Sequence, residues 1–222
     1  MPPGLITDSR RNPTLRQVDG TWFIWVVGTE SVAVAATGVA PSTRNPGLIV
    51  FAPVCWSIGL MLNLLLAALG LARLLVEPET SAELTPSYWV FMGAAAITLL
   101  AGAKLLTVSD TDPPIPHEVI VGVSIVLWSF WTWLIPMLVA LGLWRYLVRG
   151  EPLRYEPGLW NMAFPVGMYG VAHRLGHATG MDWMVRLGDD EAWVVFAVWA
   201  VVFAGMLVAG WRALPRTRPS PA

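Results

Sequence analysis

The sequence predicts an all-α integral membrane protein with six transmembrane helices arranged as three tandem helical hairpins. Of its 222 residues, 55% are hydrophobic and 13% are charged, whereas soluble domains typically carry about 25% charged residues. The charged residues are also clustered, and they leave six apolar stretches close to the roughly 20 residues that a helix needs to cross a bilayer. The mean hydropathy of +0.59 agrees with this fold class.

The apolar stretches define the predicted domain organisation. They cover residues 21–40, 47–76, 86–107, 116–146, 157–178 and 190–212. Residues 1–20 are polar and lack the apolar core of a signal peptide, so we expect a cytoplasmic N-terminal segment there and insertion directed by the first span. The membrane domain should extend over residues 21–214, and residues 215–222 should form a cytoplasmic tail.

The cationic residues predict the orientation of the spans. With six spans both termini lie on one side, and that side carries ten of the 14 Lys and Arg residues. The opposite side carries Arg44, Lys104, Arg174 and Arg186. The positive-inside rule therefore predicts cytoplasmic termini in the plasma (inner) membrane.

Several classes of function lack their sequence signals. Cys55 is the only cysteine, so an intrachain disulfide is excluded and cysteine-based metal or redox chemistry has no support. The chain has neither the phosphate-binding loop of an ATP-driven pump nor a basic stripe for nucleic acid. We therefore expect no cofactor and no nucleic-acid partner, and we expect lipid around the spans.

The six stretches differ in a way that repeats along the chain. Trp22, Trp89 and Trp160 open the first, third and fifth spans, and each is followed by two glycines, of which Gly28 and Gly93 are the first members in two copies. The first helix of each hairpin is rich in small residues and the second is bulky. Because small residues permit close helix packing, we predict inner odd-numbered and outer even-numbered helices. The alternative is six helices with ordinary packing glycines.

Three segments resemble a known transporter family. GTWFIWVVGTESVAV, SYWVFMGAAAITLLAGA and PLRYEPGLWNMAFPVGMYGVA are similar to the tellurite-resistance/dicarboxylate transporter family, which includes the plant guard-cell slow anion channel and fungal malate and sulfite transporters. The resemblance extends from Gly20 to Leu214. It implies ten helices in five hairpins, with inner helices around a central pore, trimeric assembly and a phenylalanine on the ninth helix that closes the pore.

The six spans correspond best to helices five to ten of that family, which makes this a partial five-hairpin pore fold. A pore that lacks two hairpins would be open on one flank, where inner-helix backbone would face lipid. We therefore expect another chain or segment to supply four missing helices, or else a truncated fragment. Both alternatives stay open.

The fifth span contains a helix-weakening stretch, FPVGMYG. Pro165 lacks an N–H group and should kink the helix, and Gly167 and Gly170 should allow close approach of another backbone. Such a break is tolerated where it lines a wet cavity. We therefore predict pore-lining or kink positions at Pro165, Gly167, Gly170, Gly28 and Gly93. By the resemblance, Phe164 matches the pore gate, and its alternative role is that of a packed aromatic side chain.

The end of the same span carries His173, Arg174 and His177. The two histidines are four residues apart, as in zinc-binding helices, but the intervening glutamate of an HExxH motif is absent. A third metal ligand would have to come from Asp182, Asp189, Asp190 or Glu191. We therefore expect no metal, and we interpret the three residues as a positive rim of an anion path or as snorkelling interfacial side chains.

Glu30 lies midway along the first span, where an ionisable group is costly and is a functional candidate. Because an ionised carboxylate would repel anions, Glu30 should be neutral, paired with a cation or turned away from the path. Lys104 is a candidate partner. Glu30 either couples protons to transport or makes a structural interhelical hydrogen bond, and Asn63 is simply interpreted as a residue that hydrogen-bonds between helices.

These observations lead to three hypotheses. The first is transport of small anions of the dicarboxylate, sulfite, tellurite or halide class, by a channel or gradient-driven permease that assembles as a homotrimer or within a larger assembly. The second is a membrane metalloenzyme that uses His173 and His177, although we expect no enzyme. The third is a non-conducting fragment or interaction subunit.

Overall fold

The computed structural model describes residues 20–43, 45–76, 90–108, 114–150, 155–160, 163 and 170–213. In chain order its helices are α1 (Ile24–Thr43), α2 (Pro46–Val76), α3 (Val90–Val108), α4 (His117–Leu143), α5 (Val171–Thr179) and α6 (Asp182–Ala213). Short 3-10 turns occur at Gly20–Phe23 and Pro157–Leu159, and a π-helical turn, Trp144–Val148, extends α4. No strand occurs among these residues, so the predicted all-α class is confirmed.

Within the described ranges, four helical stretches are long and apolar enough to cross a membrane. They are Gly20–Thr43, Pro46–Arg73, His117–Val148 and Asp182–Arg212. The apolar part of α3, Met92–Val108, is shorter. The first four predicted spans thus coincide with α1 to α4 apart from a few terminal residues. Of the fifth predicted span, the structure describes residues 157–160, which include the second 3-10 turn, residue 163, and residues 170–178, which include most of α5.

The last helix begins earlier than the sequence predicted, at Asp182 rather than at residue 190. Gly180 ends α5 in the left-handed conformation, with φ of 73°, which glycine adopts without steric cost. The N–H of Met181 then donates to the carbonyl of Gly176 at 2.9 Å. The chain therefore reverses at once, and Asp182 lies in the first turn of α6, where an acidic side chain favours the helix dipole.

The helix α3 is the most enclosed element. Every residue from Met92 to Leu99 is buried, and α3 contacts α1, α2, α4 and α5. Alanine predominates along its buried surface. Because small side chains let neighbouring helices approach closely, the sequence GAAAITLLAGA explains why this helix occupies the centre. The predicted inner position holds for α3.

The other helices follow the inner and outer pattern less uniformly. One face of α1, with Val26, Glu30 and Ala33, is buried, whereas the opposite face, with Gly28, is exposed. In the apolar 18-residue stretch of α6, only 6% is buried. The large side chains of this helix, such as Trp193, are exposed. The buried share of the corresponding stretch is 39% for α1 and 33% for α2. The predicted contrast between an inner α1 and an outer α2 is therefore weak.

The apolar core surrounds α3 and fixes the position of α5. Its fully or almost fully buried side chains include Phe23, Leu66, Trp131 and Leu175. The Phe23 and Trp131 rings meet edge to face, with centroids 6.4 Å apart, a favoured geometry for aromatic pairs. Since Leu175 is completely buried in this core, it anchors the short helix α5 against α3.

Candidate functional site: a cationic cavity

A cavity of about 470 Å³ lies between the C-terminal part of α3 and the helix α5. It is lined by Ala103, Lys104, Thr107, His173, Arg174, His177 and Ala178. Among the described residues, every titratable side chain of this lining is a base and none is a carboxylate. We call this feature the cationic cavity.

Helical periodicity explains how these side chains converge. Lys104 and Thr107 are three residues apart on α3, a spacing that places two side chains on one face of a helix. On α5, His173 and His177 share a face by the same rule, and Arg174 lies beside them. Leu175 occupies the opposite, buried side of α5. The basic side chains of α5 nevertheless line the same cavity as Lys104 and Thr107 of α3.

Two tight backbone contacts hold α5 against α6. A Cβ atom at Gly176 would lie 2.7 Å from the backbone nitrogen of Val185, and one at Gly188 would lie 2.7 Å from the backbone nitrogen of His173. Real Cβ atoms do not approach backbone atoms this closely, so glycine is required at both positions. The α5–α6 hairpin is consequently a close-packed unit that carries one wall of the cationic cavity.

His173 is oriented by two neighbours. Its Nδ1 atom lies 2.9 Å from Oδ1 of Asp189 on α6. Its ring meets the ring of His177 edge to face, with centroids 4.5 Å apart and an interplanar angle of 74°. Such a carboxylate partner selects the orientation of an imidazole and the nitrogen that carries a proton. Asp189 itself is 63% exposed and is not part of the cavity lining.

The structure brings the three predicted rim residues, His173, Arg174 and His177, to one cavity. It also adds Lys104, which the sequence suggested instead as a partner of Glu30. Both Lys104 and α5 lie towards the same predicted end of their spans. This shared end is the sequence feature that indicates Lys104 as a neighbour of the three residues. The packing of α3 on α5 was not legible in the sequence. The role of these residues as an anion-path rim stays a prediction.

Glu30 lies apart from this cavity. It is completely buried on α1, and its carboxyl carbon would lie 2.6 Å from a Cβ atom at Gly59 of α2. No donor among the described residues completes a hydrogen bond to either carboxyl oxygen. Lys104 therefore does not pair with Glu30 in this structure.

The remaining predicted site residues are distributed over several elements. Gly28 is exposed on α1, Gly93 is buried in α3, and Gly170 immediately precedes α5 as its N-cap residue. None of these three lines the cationic cavity. Phe164, Pro165 and Gly167, to which the sequence assigned the gate and the kink, lie outside the described residues.

The structure shows whether His173 and His177 lie in a group of side chains that could hold a metal ion. Within the described part of the chain, no group of three or more His, Cys, Asp or Glu side chains is placed to hold a metal ion. The pair His173 and His177 is instead in edge-to-face ring contact. The geometry of the described residues therefore gives the metalloenzyme hypothesis no support.

Comparison with known proteins gives consistent matches. The family model described as voltage-dependent anion channel matches residues 3–207. The uncharacterized membrane proteins MT1776 and Rv1735c, from the CDC 1551 / Oshkosh and H37Rv strains of Mycobacterium tuberculosis, are each 46% identical over 150 residues. That alignment covers 67% of this chain and 76% of each relative. No solved structure gives a significant match.

Proposed function

Because this chain belongs to the voltage-dependent anion channel family, we propose that it moves small anions across a membrane and that the cationic cavity is part of their path. Anion transport is the function of the family, and the matched relatives are membrane proteins. The observation that carries the proposal for this chain is the convergence of Lys104, His173, Arg174 and His177 on one cavity.

The size of the cavity suits a small anion with part of its hydration shell. A water molecule occupies about 30 Å³ in the liquid, so 470 Å³ has room for an inorganic anion with several water molecules or for a dicarboxylate. The surrounding protein and lipid have a low dielectric constant, which focuses the field of Lys104 and Arg174 and raises the local concentration of anions. This positive field favours entry of anions over cations.

We further propose a cargo, a transport mechanism and an assembly, in line with the expectations from the sequence. The cargo belongs to the dicarboxylate, sulfite, tellurite or halide class, and the protein works as a channel or gradient-driven permease in the plasma (inner) membrane with both termini in the cytoplasm. It assembles as a homotrimer, with further helices supplied by another chain or segment where the pore wall requires them. Phe164 is the proposed gate of that pore.

Anion flux from liposomes tests this proposal. The purified chain, checked for a single oligomeric species, should release a trapped small anion faster than protein-free liposomes. Because the screening length falls from about 30 Å at 0.01 M salt to about 3 Å at 1 M, a bulky impermeant salt should slow this flux. A well-folded chain that gives no flux above protein-free liposomes would show that this polypeptide does not conduct anions alone.

A further inference from the structure

A second group of polar side chains lies in the interior, away from the cationic cavity. It consists of Glu30 on α1, Asn63 on α2 and Thr98 on α3, and each has 0% exposure. We call these three residues the polar triad. They lie in the middle of their helices, where polar groups interrupt long apolar sequences, so their burial is a consequence of helix packing and requires a physical explanation.

The contacts of the triad connect three helices. The Glu30 carboxyl extends to the backbone of α2 at Gly59, one helical turn before Asn63. The Nδ2 atom of Asn63 donates to Oγ1 of Thr98 at 3.4 Å, and the Thr98 hydroxyl lies beside the Glu30 carboxyl. Glu30, Asn63 and Thr98 thus form one cluster at the junction of α1, α2 and α3.

Acceptor atoms outnumber available donors in this cluster. The Thr98 hydroxyl donates to the Ala94 carbonyl at 2.9 Å, and the Trp56 indole N–H donates to the Thr98 carbonyl at 3.0 Å. Both hydrogens are thus used by backbone carbonyls. Both Glu30 oxygens and Oδ1 of Asn63 are left without a hydrogen-bond partner among the described residues.

One proton changes this balance. A carboxylate can only accept hydrogen bonds, whereas the protonated acid also has one O–H donor. The Thr98 hydroxyl oxygen has two lone pairs, and one accepts the Asn63 N–H. The other is available to the O–H group of a protonated Glu30, which lies beside it. The acid form of Glu30 can therefore supply the donor that this cluster lacks.

Within the described part of the chain, no positively charged side chain faces Glu30. On α2, Cys55 is near enough to interact electrostatically with Glu30. The cation of α3, Lys104, lines the cationic cavity instead. On α1 itself, the sequence IWVVGTESVAVAATGVAPST contains no other titratable residue.

From this geometry we propose that the polar triad is an intramembrane proton-binding site, in which Glu30 takes up and releases the proton and Asn63 and Thr98 position it. The proposal goes beyond anion transport and does not depend on it. Gly59 is an essential part of the site, because any side chain at this position would displace the Glu30 carboxyl group.

Dicyclohexylcarbodiimide tests the site directly, since this apolar reagent adds to protonated carboxyl groups that are shielded from water. The full chain in liposomes should be modified at Glu30, as found by peptide mass spectrometry, and the modification should decline several-fold as the pH is raised. The water-exposed residues Glu118 and Glu156 are internal controls and should react poorly. Glu30→Gln should remove the modified peptide and leave the oligomeric state unchanged.

Two results would overturn the proposal. One is the absence of modification at Glu30 at every pH in a chain that elutes as a single folded species. The other is protection of Glu30 by Na⁺ at constant pH, which would identify a sodium site rather than a proton site. Both measurements use the wild-type chain, so they remain decisive even where Glu30→Gln does not fold. Anion flux enters neither measurement, so the site and the transport proposal fail separately.

Discussion

The Nδ1 atom of His173 lies 2.9 Å from Oδ1 of Asp189, and this contact ties the cavity wall on α5 to the first turns of α6. The side chains are 36% and 63% exposed, so solvent screens their interaction. The pair is therefore expected to affect the charge of the cationic cavity more than the stability of the fold.

Asp189→Asn tests this division. The variant removes a negative charge beside the cavity, so anion flux should rise, while the free energy of unfolding should change by about 1 kcal/mol or less, as for exposed ion pairs. Asp190→Asn is the matched control, because Asp190 is exposed and adjacent in sequence. Equal flux changes in the two variants would show that the His173–Asp189 contact has no specific effect on the cationic cavity.

Gly188→Ala tests the close packing of α5 on α6. The added methyl group would meet the backbone of His173, and overpacking of this kind typically costs about 1–3 kcal/mol. We expect a lower melting temperature in detergent. Gly210→Ala on the same helix is the control, since a Cβ atom there meets no described atom within 4 Å. Equal melting temperatures for the two variants would contradict the contact.

The relation of Glu30 to Gly59 is tested by a double-mutant cycle. Gly59→Ala should destabilise the protein because its methyl group would overlap the Glu30 carboxyl. In the Glu30→Ala background that overlap is removed, so the second substitution should cost less, with a coupling of about 1 kcal/mol or more. Gly28→Ala is the control, because its Cβ atom has open space. Strict additivity of the Glu30 and Gly59 changes would argue against their contact.

The orientation is tested by labelling single cysteines in intact cells, in a chain whose Cys55 is replaced by alanine. Arg11→Cys and Arg216→Cys should resist impermeant thiol reagents, because the positive-inside rule places both positions in the cytoplasm. Arg186→Cys, on the opposite predicted side, should react. Rapid labelling at positions 11 and 216 would reverse the topology.

Some features of the fold were accessible to sequence reasoning for a clear physical reason. Long apolar runs bounded by charged or turn-forming residues define α1 to α4, and the alanines of α3 indicate its central position. The family resemblance, carried by three segments, is confirmed by the match over residues 3–207. In each case the signal is local in the chain.

Other features depend on how helices pack, and local patterns do not contain that information. The early start of α6 follows from the left-handed Gly180, which lies in a segment whose polarity resembles that of a loop. Lys104 joins the cavity only through the packing of α3 on α5. Similarly, the contact of Glu30 with Gly59 depends on the register between α1 and α2, which neither helix specifies alone.

Anions are proposed to pass through the cationic cavity. The most direct test of this path is anion flux from liposomes that contain the double variant Lys104→Gln/Arg174→Gln. Removing both permanent positive charges should lower flux by about tenfold, the lower end of what focused fields contribute to ion entry. The control is Arg186→Gln/Arg212→Gln, which removes two exposed charges that do not line the cavity and should retain wild-type flux. Wild-type flux in the Lys104→Gln/Arg174→Gln variant, or an equal loss in the control, would contradict the account.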